Sequence, residues 1–366
     1  MKRICLIGNN GFGKPVFDGQ RIKVRTYKNV LESEGFEVNL VELDKPLKRL
    51  FKIFSNIKRG IRNCDIVILI TSDNGEKILV PYINRLNKKS KKRFVVSQIG
   101  TSFLYQYIKS LTEQQKRAFF HEHNFLNLKP KKKTIKNLKM VDVILTETEL
   151  INGAFSKFFS LDNCSTMTNF RLIEQPKDNK QSCKNKLVYL SRVTARKGIF
   201  DLLNVLKDIR EKEKIVFSLD IYGTLYMDDE EKSKFNSSLF DGVTYRGEIS
   251  QDKIINMLQQ HDLLCFPTKC EGEGTPGCII ESLIAGTPIL SSSFTQADEL
   301  LKNNYNSLLF EFNNNDDMKK RLLDFFAGNK DYHLLRHNAF LSGQKFTYDY
   351  NRKKFLKIVC GDSNEK

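Results

Sequence analysis

Short apolar runs alternate with longer amphipathic stretches as far as residue 310, and this rhythm admits few folds other than strand–helix–strand units gathered into parallel sheets. Strands are expected at 3–7, 36–42, 65–71, 93–98 and 141–146, with helices between them at 20–34, 47–62, 75–87 and along 103–123. Over residues 171–186 the pattern lapses into a polar run without periodicity, which reads as a linker. The alternation then restarts, with strands expected at 187–190, 216–222, 242–245, 263–266, 288–291 and 307–310. The expected fold class is therefore α/β, with one Rossmann-like doubly wound domain at 1–170 and another at 187–344. A final helical stretch within 345–366 is long enough to cross back onto the first domain. The two domains are expected to face each other across a cleft at the carboxyl ends of their strands, where ligands of such sheets bind.

A length of 366 residues fits two cores rather than one. The net charge of +17 calls for an anionic partner: nucleic acid, a phosphorylated small molecule or an acidic membrane surface. Its cationic clusters, at 45–62, 88–93 and 129–133, all fall in the first half. No helix-turn-helix, zinc or base-stacking signature accompanies them, so nucleic acid is not expected as a partner. The eight cysteines lack close Cys-x-x-Cys pairing, and no run approaches the roughly 20 apolar residues of a membrane span. A reduced, cytoplasmic protein is expected, either soluble or peripheral at the inner face of a membrane. In the stretch 47–59, Leu47, Leu50, Phe51, Phe54 and Ile57 share one helical face and most cations the other. That pattern suits an anionic membrane surface, and equally a helix packed on its sheet.

The most informative segment runs from Leu263 to Leu290. A buried strand leads into Glu271-Gly272-Glu273-Gly274-Thr275-Pro276, then a helix, then Gly286-Thr287-Pro288 and the next strand. Such a loop brings backbone N–H groups to a helix N-terminus and suits an anion or sugar hydroxyls at close range. Glu273 stands in the loop and Glu281 about two turns along the helix, and each carboxylate accepts two O–H donors.

These residues resemble the donor motif of the family 4 retaining glycosyltransferases, group 1 enzymes with the two-domain GT-B fold. Ser191-Arg192-Val193-Thr194-Ala195-Arg196-Lys197-Gly198 resembles the same family's strand-end Arg followed five residues later by Lys-Gly, the pair that grips the donor diphosphate. Arg196 is the competing candidate, but only Lys197 keeps the family spacing. The resemblance makes 1–170 the acceptor domain and 187–344 the nucleotide-sugar donor domain. It implies Arg192, Lys197 and Glu273 as catalytic residues. Donor binding falls to those three together with Gly19, Tyr222, Gly247, Ile249, Gly274, Thr275, Pro276 and Glu281; Tyr222-Gly223 ends one strand, and the 246–249 loop after the next lines the base pocket in similar enzymes. Glu299 resembles a further donor position, although Ser291-Ser292-Ser293 replaces the usual glycines there.

In the first domain, Gly8-Asn9-Asn10-Gly11-Phe12-Gly13 and Asp18-Gly19-Gln20 do not have the spacing of a dinucleotide enzyme. They resemble instead the family's glycine loop, with Gly19 opening a helix. Gln98-Ile99-Gly100-Thr101-Ser102 stands where some relatives carry a histidine. His121 and His123 read as surface residues of a helix. The implied reaction moves a sugar, with retention and without a metal or other cofactor, from a nucleotide diphosphate-sugar to a glycan or lipid-linked acceptor, as in bacterial surface polysaccharide synthesis. The alternatives are a nucleotide-sugar epimerase of the same fold, a catalytically dead sugar-nucleotide binder, or a basic nucleic-acid-binding protein.

Overall fold

The computed structural model describes residues 2–11, 19–43, 50–71, 73–173, 176, 185–270, 272–328 and 331–361. Phe12, Gly13, Asp18, Leu47, Glu271 and most of the 171–186 stretch, Cys183 among them, lie outside these. The chain forms two units, one of residues Met1–Leu172 with Tyr348–Lys366 and the other of Ile173–Thr347.

The first unit begins β1 Arg3–Gly8, α1 Gly19–Ser33, β2 Glu37–Glu42, α2 Leu50–Arg62, β3 Ile66–Ile70, α3 Asp73–Ser90 and β4 Arg93–Ser97. It continues α4 Ser102–Ile108, α5 Glu113–His121, α6 Lys132–Leu138, β5 Val143–Thr146, α7 Glu149–Phe159 and β6 Cys164–Thr166. All six strands are parallel, in the order β2-β1-β3-β4-β5-β6. Because helices cover both faces, the strands are apolar on both: Ile4, Cys5, Leu6 and Ile7 of β1 are all fully buried. On one face α2 and the helices from α3 to α7 enclose Ile57, Val80, Phe119 and Phe155. On the other, Tyr27 and Val30 of α1 pack with Phe170 and Phe355.

Several expectations are corrected here. The single helix expected along 103–123 is two, because Thr112 takes up extended backbone and opens α5 with a reciprocal capping box to Gln115. His121 ends α5, whereas His123 has left the helix at φ 56° and is half-buried. Of the apolar stripe on α2, Ile57 is buried and Phe54 half-buried against the sheet, while Phe51 is 92% exposed.

The second unit runs β7 Lys186–Leu190, α8 Ile199–Glu213, β8 Ser218–Tyr222, α9 Asp229–Ser237, β9 Val243–Gly247, α10 Ile254–Gln259 and β10 Leu263–Phe266. Then come α11 Gly277–Ala285, β11 Ile289–Ser292, α12 Ala297–Leu300, β12 Ser307–Phe310, α13 Asn315–Phe326 and α14 Tyr332–Gly343. Its parallel sheet has the order β12-β11-β10-β7-β8-β9. The chain thus enters at a central strand, winds outward through β8 and β9, and returns to place β10 on the other side of β7. The reversal of winding between β7 and β10 is where a doubly wound sheet opens a crevice for ligand at its carboxyl edge.

The expected C-terminal helix from Lys345 is also broken. A 3₁₀ turn at Gln344–Phe346 gives way to extended backbone at Thr347, after which α15 Tyr348–Cys360 belongs to the first unit. There Phe355 meets Tyr27 edge-on at 4.8 Å, and Arg352 and the Tyr348 hydroxyl both donate to Glu34. The described cysteines are all free thiols, and no helix among the described residues is long and apolar enough to cross a membrane.

Candidate active site

At the carboxyl end of β7, Thr194 caps a 3₁₀ turn, Ala195–Lys197, by accepting from the Lys197 N–H. The turn must end on glycine. Gly198 has φ +75°, and a Cβ there would lie 1.9 Å from the Pro267 carbonyl oxygen. The turn therefore seats directly on the segment leaving β10, and the Lys269 N–H donates to the Arg196 carbonyl. This contact aims the Lys197 ammonium at Glu273, with which it forms an ion pair, and places it 5.5 Å from the Phe266 ring centroid. Glu273 also accepts from the Thr268 hydroxyl at 2.8 Å. The two charged side chains retain 12% and 11% exposure. The ion pair spans the β7–β10 reversal. Arg196, by contrast, is exposed, and so is Arg192, whose carbonyl accepts from the Tyr189 hydroxyl at 3.1 Å.

Gly274 and Thr275 are buried, and Pro276 precedes α11 with no side-chain cap. The first-turn N–H groups of α11 thus sit beside the Lys197–Glu273 pair, adding a partial positive charge at that point. Cys278 lies in the same turn; burial pushes its thiol up to about 12, and it remains protonated at neutral pH. Glu281 is buried further along α11 and accepts from the Gln251 amide at 2.6 Å.

A second cluster lies at the ends of β8 and β9. Tyr222 stands opposite Gly247 in the ladder, and both Tyr222 and Ile249 pack against the apolar cluster that contains Leu190 and Ile254. Gly223, at φ +138°, lies so close to the Ser191 carbonyl that a Cβ would come within 1.8 Å of its oxygen. Behind Tyr222, the buried Asp220 carboxylate meets Arg246 at 2.8 Å and His261 at 3.0 Å. Burial raises its pKa, but these two partners outweigh burial and hold it below the ordinary range.

Of the expected site residues, Arg192, Lys197, Tyr222, Gly247, Ile249, Glu273, Gly274, Thr275, Pro276 and Glu281 therefore all lie in the second unit, Glu281 midway along α11 and the others near the strand ends of its sheet or just before α11. Gly19 is the first residue of α1 in the first unit. Glu299 is on α12, where its carbonyl accepts from Lys345. The serines that replace glycines are used structurally: Ser292 donates to the Thr268 carbonyl at 2.6 Å, holding the ends of β11 and β10 together. Thr268 and Gln251 were not expected. Thr268, two residues beyond β10, is at least placed by the chain; nothing near Gln251 in the sequence marks it as a partner of Glu281.

Residues 171–341 match the model of the family described as glycosyl transferases group 1. The chain carries a group 1 glycosyltransferase domain. A curated relative, an uncharacterized glycosyltransferase of Methanocaldococcus jannaschii, is 24% identical over 194 residues, and that match covers 51% of this chain and about half, 48%, of the relative. Among solved structures, sucrose-phosphate synthase from Thermosynechococcus elongatus superposes with a TM-score of 0.70 at 13% identity, covering 98% of each chain. The Anabaena protein HepE, in complex with UDP, gives a TM-score of 0.70 at 12% identity and covers 98% of this chain and 100% of its own. With two parallel six-stranded sheets and these neighbours, the chain has the GT-B fold of two Rossmann-like units. Within the glycosyltransferase domain, the family match contains the Lys197–Glu273 pair and Glu281.

Proposed function

We propose that the protein is a retaining, metal-independent glycosyltransferase that moves a sugar from a nucleotide diphosphate-sugar to a glycan or lipid-linked acceptor in surface polysaccharide assembly. The observation that carries this reading is the Lys197–Glu273 ion pair across the strand reversal of the second unit, beside the uncapped start of α11. A leaving nucleoside diphosphate gains negative charge in the transition state, and fixed cations and helix N–H groups meet that charge without having to reorganise. Lys197 supplies a compact charge and Arg192 a planar fork of donors. Glu273 then accepts from sugar hydroxyls and Glu281 from the ribose, while Tyr222, Gly247 and Ile249 flank the base. The departing phosphate helps deprotonate the acceptor on the same face of the sugar, so no protein nucleophile is required. Binding of UDP by HepE, which shares the fold, supports a nucleotide-linked donor.

The test is a thermal-shift panel of nucleotide diphosphate-sugars, followed by product analysis with and without acceptor and with EDTA. A donor that stabilises the protein and yields an α-linked product from an α-linked donor, undiminished by chelation, supports the assignment. Conversion of donor in the absence of acceptor would assign an epimerase. Activity abolished by EDTA and restored by metal would remove the metal-free mechanism, and an inverted product would remove retention.

A further inference from the structure

The first unit carries a cationic face on three of its helices. Tyr82 of α3 donates to the Phe54 carbonyl of α2 at 3.1 Å, and Asn84 of α3 donates to the Asn137 carbonyl of α6 at 2.8 Å. These two bonds set three helices side by side on one face of the sheet, and they bring together cations that are distant in sequence. Lys58, Arg59 and Arg62 are exposed on the second half of α2. Arg85, Lys88 and Lys89 are exposed on the second half of α3, and Lys132, Lys133 and Lys136 on α6. Among the described residues none of these nine has a carboxylate partner, and the one described acidic side chain of the three helices, Glu76, is buried. The opposite face of the same sheet differs. There Lys28 pairs with Glu32 at 2.6 Å and Arg352 with Glu34 at 2.7 Å.

Phe51 is 92% exposed near the start of α2 and Ile78 60% exposed in the first half of α3. Met140, just beyond α6, is also exposed. These side chains carry no polar handle for a base or a peptide, whereas a bilayer interface takes up isolated apolar side chains and attracts clustered Lys and Arg.

We propose that the α2–α3–α6 face docks the protein on an anionic lipid surface, chiefly by charge, with Phe51 and Ile78 entering the headgroup boundary. The apolar stripe of α2 does not drive the contact, since Phe54 and Ile57 are turned to the sheet. The proposal stands apart from the glycosyltransferase reading, because it uses none of the residues assigned to the donor site.

The full-length protein is sedimented with vesicles of phosphatidylcholine alone and of phosphatidylcholine with 30% phosphatidylglycerol. Retention is expected on the anionic vesicles at low salt, with release as ionic strength rises and little binding to the neutral ones. Replacing Arg59, Arg62, Lys88 and Lys89 together by Gln should lower the partition coefficient on the order of 10²–10³-fold at low salt, since each cation near such a surface contributes roughly a factor of five. Phe51→Ser should cost about tenfold. The altered side chains are exposed, so an unchanged thermal midpoint and unchanged nucleotide-sugar binding identify a folded protein with an intact donor site. Failure of the wild-type protein to bind anionic vesicles at low salt, or equal binding by the fourfold variant, overturns the proposal. Tighter binding to duplex oligonucleotide than to the anionic vesicles at equal ionic strength overturns it in favour of nucleic acid.

Discussion

Replacing Lys197 by Met removes the charge but keeps most of the side-chain volume, leaving Glu273 its hydrogen bond from the Thr268 hydroxyl. A carboxylate stranded by loss of its partner costs about 3–5 kcal/mol when fully buried. Glu273 keeps 11% exposure and follows the exposed Gly272, so some water reaches it and the expected loss is nearer 2–3 kcal/mol. Glu273→Gln made in the same chain removes the stranded charge, and the double variant should return to within about 1 kcal/mol of wild type, a coupling of roughly 2 kcal/mol. Turnover should behave differently. The double variant still lacks the cation that meets the diphosphate, so its rate should stay on the order of 10²–10³-fold below wild type. Urea denaturation of the four proteins measures the first quantity, and donor turnover on the folded proteins measures the second. Recovery of both stability and turnover in the double variant would show that the pair is structural and that Lys197 does not act on the donor. Absence of coupling in the denaturation cycle would show that the ion pair contributes nothing to the fold.

Gly198→Ala combines a left-handed backbone with a Cβ 1.9 Å from the Pro267 oxygen, and should destabilise the protein by about 3 kcal/mol or more, read as a lowered urea midpoint; a loss under 1 kcal/mol contradicts the seating of the turn on the β10 segment. Glu281→Ala should weaken binding of the bare nucleoside diphosphate by roughly 1–3 kcal/mol in calorimetry, and an unchanged Kd removes the ribose assignment. The Arg352 guanidinium chiefly, with the Tyr348 hydroxyl, holds the Glu34 carboxyl below its ordinary 4.5 against the opposing effect of burial. A depressed folded-state pKa gives stability that is fully present above 4.5 and is lost as pH falls through the folded value. Wild type should therefore lose thermal stability more steeply than Glu34→Gln below that pH, and parallel acid limbs would contradict the linkage.

The apolar–amphipathic alternation was enough to place most strands, because parallel strands buried on both faces leave unbroken runs such as Ile66–Ile70. It failed at β6, where Cys164–Thr166 is too short and too polar to stand out from a loop. It failed again at Thr112, whose capping box looks in sequence like one more polar turn of an amphipathic helix. The Gly-rich loop between β10 and α11 was legible from its residue types, whereas Lys197 and Glu273 were singled out as catalytic only through their resemblance to the family's motif. The partners that orient Glu273 and Glu281 were not legible. Thr268 and Gln251 are ordinary polar residues until the sheet order brings β10 beside β7 and the turn after β9 against α11. The cationic face was only partly visible: the charge clusters could be listed, but not their adjacency, which depends on two side-chain bonds from α3.

The backbone N–H of Tyr348 donates to the Arg171 carbonyl at 2.9 Å, so the strands of chain leaving and re-entering the first unit run side by side. In the order of synthesis, the whole second unit is made between them. A ribosome that has released residues 1–172 has exposed Tyr27 and Phe170 without the Phe355 ring that packs on both, and it must translate the 173–347 segment before that ring exists. The first unit to begin is therefore the last to be finished, while the second is complete as soon as its own residues emerge. A nascent chain halted after residue 347 would hold a finished second unit and an N-terminal unit with an open apolar face, which makes α15 the piece whose arrival closes the first unit.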